Sequence, residues 1–181
     1  MDALRAATFA ETVKRHLSFE KTRGFRLFTV GSIARRKDKP KDCDILVVTE
    51  KYDPDLLSRI IFTGKFVITK LLVCGERRCK FNIKYDPTDK AVAALKNPKE
   101  KLPPIDVFYA TWNEKPFATL HLIGPKEYNI RLRAKAKKEG YLLNQYGLFY
   151  KTTGRRVERR FETDCDIQSF LGVTCRQPWD R

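Results

Sequence analysis

Asp42 and Asp44 stand one residue apart at the head of an apolar run, Ile45–Val48. Alternate residues of a strand project to one face, roughly 6–7 Å apart, so the two carboxylates point the same way. Charge at the start of a buried strand costs desolvation energy unless a partner offsets it, and divalent cations take oxygen donors of this kind. About ten residues upstream, Gly31-Ser32 closes the preceding apolar strand. Glycine allows close backbone approach to a ligand, and serine adds a hydroxyl and an amide. The loop between carries Arg35, Arg36, Lys37, Lys39 and Lys41. An Asp-x-Asp alone is most often a turn or a cap. With a phosphate cradle beside it, the pair suggests a nucleotide and its magnesium. Asp106 then lies inside a second apolar strand, Ile105–Tyr109. A lone buried acid would need several donors around it, whereas beside Asp42 and Asp44 it becomes a third ligand. Three such carboxylates can hold two divalent ions roughly 3.5–4 Å apart, between a triphosphate and an attacking hydroxyl. That chemistry is nucleotidyl transfer.

The elements that position these residues read as follows. Residues Asp2 to Leu17 form a helix with Leu4, Ala7, Phe9, Val13 and Leu17 packing, and Phe25–Val30 a strand. Asp53-Pro54 caps a helix carrying Leu56, Leu57, Ile60 and Ile61. Two strands, Phe66–Val73 and Lys80–Tyr85, flank a four-residue hairpin loop, Gly75–Arg78. Between Tyr85 and Pro104, four prolines surround an Ala-rich piece, Lys90–Lys96, with one helical turn or two. The pattern changes near Trp112. His121–Pro125 is a short apolar segment ending in a turn, followed by a helix over Lys126–Lys138 with Gly140 as its stop. On that helix Tyr128, Leu132 and Ala136 form one stripe, and Asn129 and Arg133 are i, i+4 neighbours on another. A hairpin over Tyr141–Lys151 and a helix over Asp164–Leu171 complete the chain.

The 181 residues are 42% hydrophobic, enough for a core, and carry a formal net charge of +15. Residues 1–111 hold 23 basic and 14 acidic side chains, and the remainder 14 and 8. Both halves are basic, which suits a long polyanion better than one basic tail would. No apolar run approaches the roughly 20 residues of a membrane span, and no secretory leader is apparent. Five cysteines are too few for a disulfide scaffold. Cys74 and Cys79 bracket the hairpin loop; as a zinc half-site they lack a second half, leaving free thiols or a cross-strand disulfide.

Taken together, the chain resembles the X-family DNA polymerases of the nucleotidyltransferase superfamily over about residues 25–181. The likeness is carried by Gly31-Ser32 with Arg35, Asp42-x-Asp44, Asp106, and His121-Leu122-Ile123-Gly124 where the family usually has Tyr-Phe-Thr-Gly. Asn129, Arg133 and the stretch from Phe170-Leu171-Gly172 to Pro178-Trp179 extend it. It implies an α/β palm with a mixed β-sheet (the nucleotidyltransferase fold, residues 1–111) and a small α+β C-terminal lobe (112–181). It further implies that Gly31, Ser32 and Arg35 take the triphosphate and that Asp42, Asp44 and Asp106 hold two Mg2+ ions, with Mn2+ able to substitute. By the same likeness, Asp106 accepts the proton of the primer 3′-hydroxyl. His121, Leu122 and Gly124 then sit beside the incoming sugar, and Asn129 and Arg133 touch the minor-groove edges of the new base pair. The nearest likeness is to the minimal viral members, through the Cys74–Cys79 hairpin, His121 and Leu143–Phe149. In those the hairpin cysteines can form a disulfide and the histidine contacts an incoming purine.

The expected activity is therefore template-directed gap filling in base excision repair. Gapped or nicked double-stranded DNA and dNTPs are the expected partners of a monomer, in the cytoplasm of an infected cell. With no lyase or helix–hairpin–helix module expected ahead of the palm, the lobes' own charge would hold DNA. Two other readings compete: a template-independent nucleotidyltransferase acting on RNA ends or a small acceptor, and a non-catalytic nucleic-acid-binding protein. The Asn129/Arg133 pair argues against the first, and three carboxylates that would repel phosphate without an ion argue against the second.

Overall fold

A computed structural model describes residues 1–18, 24–63, 67–84 and 102–181. The expected excursion, with its Ala-rich piece at 90–96, lies almost wholly outside the described residues. The chain divides into two compact units, Met1–Tyr109 and Ala110–Arg181. Among the described residues no helix is long and apolar enough to cross a membrane.

The first unit opens with α1, Ala3–Leu17. Its N-cap is Asp2, whose carboxylate accepts from the Arg5 N–H at 2.8 Å, and Lys14, Arg15 and His16 complement the dipole in the last turn. Ala6, Phe9, Ala10, Val13 and Leu17 are buried. Leu4 and Ala7, expected to pack, are exposed, Leu4 by 79%. Five residues before Phe9, Leu4 is displaced about 140° around the helix from the buried stripe.

Strand β1, Phe25–Thr29, leads into a one-turn helix α2, Gly31–Ala34, then β2, Cys43–Thr49. Helix α3, Leu56–Thr63, follows a turn closed by Asp53, which accepts from the Asp55 N–H and from Arg59. Strands β3, Val67–Gly75, and β4, Arg78–Lys84, form a hairpin, and β5 spans Ile105–Thr111. The five strands make one mixed sheet ordered β1-β2-β5-β4-β3. Antiparallel pairing joins β1 to β2, β3 to β4 and β4 to β5. The hairpin loop is tighter than expected: Gly75 and Arg78 pair, so only Glu76 and Arg77 turn.

One face of this sheet packs on α1 and α3 through Cys43, Ile45, Val47, Cys79, Phe81, Ile105 and Val107. Residues of β2, β4 and β5 that alternate with these project from the other face. Tyr109 ties the sheet to the loop ahead of α3: its hydroxyl donates to the Lys51 carbonyl, accepts from the Asp53 N–H and shares a 2.8 Å bond with Thr49.

The second unit begins with α4, Lys115–Ile123, and α5, Lys126–Lys138. Residues 121–123 thus belong to a helix rather than to the separate apolar segment expected. Pro116 near its start favours helix initiation, and Gly124, at φ 65°, ends it. Strands β6, Tyr141–Leu143, and β7, Leu148–Tyr150, form the small hairpin. Helix α6, Asp164–Phe170, carries a capping box between Thr163 and Asp166. The core gathers Phe117, Leu120, Tyr128, Leu132, Leu148, Phe161, Ile167 and Leu171. Within it the buried Gln168 carboxamide oxygen accepts from the Tyr128 hydroxyl at 2.6 Å and from the Arg176 N–H at 2.9 Å.

A disulfide joins Cys165 to Cys175, a pair the sequence reading did not link. Cys74 and Cys79, the pair singled out from sequence, are free thiols opposite one another across β3 and β4. The strand pairing does bring them face to face; the bridge itself lies in the other unit.

Candidate active site

Asp42 and Asp44 flank the first residue of β2, and Asp106 is the second residue of β5, the neighbouring strand. The strands start side by side, with the Cys43 N–H donating to the Pro104 carbonyl at 2.9 Å. One ligand oxygen from each of the three carboxylates lies within 4.8 Å of the other two. Cys43, between the two aspartates in sequence, belongs to the buried core on the opposite face. Burial pushes its thiol well above the usual range, so it offers no thiolate to the site.

Asp44 is held in an environment hostile to its charge. Burial, then the charges of Asp42 and Asp106, push its carboxyl up to about 7 against the pull of Lys80 and Arg35. Such a cluster of acidic oxygens, with one member driven toward protonation by burial and then by its neighbours, is a donor set suited to hard divalent ions.

Gly31 fits against this cluster. Its φ is +66°, and a β-carbon there would overlap the Asp44 carboxylate, 2.6 Å from Cγ. The backbone turns into α2 at that point, with the Arg35 N–H donating to the Gly31 carbonyl and the Lys37 N–H to that of Ser32. Ser32 Oγ is buried without a hydrogen-bond partner. A hydroxyl with its donor unspent next to a glycine cradle suits an anionic group. Both halves of the site therefore fit a metal-bound phosphate.

Two residues here escaped the sequence reading. Arg78 donates to both oxygens of Asp106, from Nε at 2.8 Å and Nη2 at 2.7 Å. Lys80 Nζ lies 3.2 Å from Asp42 Oδ2 and 3.4 Å from Asp106 Oδ2. The signal was available in the alternation of β4, where Arg78, Lys80 and Asn82 interleave with Cys79, Phe81 and Ile83. The alternation starts at Arg78 only because the turn is as short as Glu76-Arg77; a four-residue loop hides its first member.

In the second unit, α4 and α5 bring three of the expected residues together. The Asn129 amide donates to the His121 carbonyl at 2.8 Å, and Arg133 Nη2 donates to His121 Nδ1 at 2.9 Å. Burial, then the Arg133 charge, lowers the His121 pKa, so the imidazole is held neutral with its proton on Nε2. Phe117, Leu120, Leu143 and Asn144 line the same small pocket. Leu122 is half-buried, and Gly124 is buried at the junction of the two helices.

Residues 118–181 match the family model described as DNA polymerase beta thumb. Over 157 residues, 86% of its length, the chain is 34% identical to "Repair DNA polymerase X" of African swine fever virus isolate Tick/South Africa/Pretoriuskop Pr4/1996, covering 80% of that protein. The same values hold for the protein of that name from isolate Warthog/Namibia/Wart80/1980.

Proposed function

Because the chain belongs to the X-family DNA polymerases, we propose that it fills gaps in double-stranded DNA, adding dNMP to a primer 3′-hydroxyl as a monomeric, template-directed repair polymerase. The reading is carried by one observation, the convergence of the Asp42, Asp44 and Asp106 oxygens within 4.8 Å of one another. The cofactor is a pair of Mg2+ ions, replaceable by Mn2+, which when bound activate the hydroxyl and offset charge on the leaving pyrophosphate.

Each of the chain's residues has a part in this reading. Asp42, Asp44 and Asp106 hold the ions, and Asp106 accepts the proton of the primer hydroxyl. Gly31 and Ser32 receive the triphosphate, the free Ser32 hydroxyl donating to it, and Arg35 adds charge. His121, Leu122 and Gly124 lie along the nucleotide. Asn129 and Arg133 donate to minor-groove acceptors, which occupy similar positions in every correct pair. In the present structure each side chain spends one donor on His121, which fixes both on the same face while leaving further N–H groups for a base pair. Residues 1–111 act as the palm and 112–181 as the lobe that grips nucleotide and DNA. Viral relatives support a cytoplasmic setting in an infected cell.

Primer extension on gapped, nicked and single-stranded DNA, with dNTPs or NTPs, tests this. Templated incorporation of dNTPs at the gap is the expected result. Asp44→Asn or Asp106→Asn should lower it by roughly a thousandfold, the several kcal/mol that metal stabilisation supplies, while DNA binding persists. Ready extension by either variant would refute the assignment of the triad.

A further inference from the structure

Strand β4 runs beside β5, and Lys80 sits directly opposite Asp106 in the ladder. Its side chain leaves the sheet on the face opposite the buried Cys79 and Phe81. There the ammonium bridges Asp42 Oδ2 and Asp106 Oδ2, at 3.2 and 3.4 Å. A magnesium ion binds oxygen donors at about 2.0–2.1 Å, so an ion bridging these two oxygens would fall in the space the ammonium takes. Like charges so close repel strongly in a partly desolvated site. Arg78 stands differently: its fork grips Asp106 through two parallel bonds, which fixes the plane of that carboxylate. Lysine is a point charge on a flexible stem and is the readier of the two to move.

Resting on the metal reading above, we propose that Lys80 is a displaceable counter-ion of the metal site, a positioning residue that holds Asp42 and Asp106 together and must swing off them before an ion can bridge them. Metal entry then has an internal competitor, and the site's apparent affinity for the ion is set partly by how readily Lys80 leaves. The carboxylates, in turn, are not left facing one another before the ion arrives.

Mn2+ binding to the full chain, followed by electron paramagnetic resonance, tests this without a turnover assay. Lys80→Met should tighten Mn2+ binding by at least about tenfold, the scale expected from removing one nearby unit charge, whereas Lys80→Arg should not. A stationary ammonium at this distance would also tighten binding when lost, so displacement itself is read from the reactivity of Lys80 in the wild type. Equal or weaker binding by a folded Lys80→Met would overturn the proposal. Whether or not that variant folds, amine acetylation of the wild type mapped by mass spectrometry should label Lys80 faster in Mg2+ than in EDTA, and an unchanged rate would overturn it. Wild type that binds Mn2+, with no effect at Lys80, removes this proposal alone; wild type that binds none removes the metal reading with it.

Discussion

Asp44 is the residue where folding and chemistry pull hardest against each other. Its carboxyl is pushed from 3.8 up to about 7, chiefly by burial and then by Asp42 and Asp106. A group whose folded pKa is raised contributes stability that is fully present below its unfolded value and lost as pH climbs through the folded one. In EDTA, the melting temperature of the wild type should therefore fall relative to Asp44→Asn between about pH 4 and pH 7. Saturating Mg2+ should flatten that difference, because the ion favours the ionised carboxylate. Calorimetry of both proteins across that range checks it, and parallel curves in EDTA would count against it. The aspartates were legible in the sequence because charge inside an apolar strand is rare enough to carry information. Arg78 and Lys80 were not, since in a chain with 37 basic residues any one of them reads as solvated surface until a strand register assigns it a partner.

Elements with strong local signals were read closely. The helix over Lys126–Lys138 coincides with its expectation, because a stripe of Tyr128, Leu132 and Ala136 and a glycine stop define it locally. Residues 121–123 read locally as an isolated apolar segment because Gly124-Pro125 ends them, whereas the helix they belong to starts at Lys115-Pro116, well upstream of the apolar run. The Cys165–Cys175 bridge was invisible for another reason: it depends on how the chain returns after α6, a tertiary path with no local mark. The same scale separates the three free thiols. Cys74 is exposed on β3, whereas burial, together with its neighbour Cys74, pushes Cys79 up to about 12. Iodoacetamide at neutral pH should label Cys74 rapidly and leave Cys79 and Cys43 until the protein unfolds. Peptide mapping over time would show it, and equal rates for Cys74 and Cys79 would mean the hairpin opens readily.

The molecule as a whole carries +15, with both units basic, and the relatives point to a polyanionic template. Affinity for gapped DNA should fall steeply with salt, with a log–log slope near −0.9 for each phosphate neutralised. Fluorescence anisotropy between low and physiological salt gives that slope, and a value near zero would mean the charge is not a DNA track. Charge of this kind is diffuse, so single lysines or arginines on the surface can be lost and regained with little effect. Gly31 lies at the opposite extreme. Every missense change of its codon adds a β-carbon, and that atom has nowhere to go but into the Asp44 carboxylate, in a backbone conformation L-residues avoid. In genetic terms the position has no neutral neighbours: lineages of this polymerase can drift in charge and in loop sequence, but a step away from glycine at 31 leads to no working intermediate from which to return.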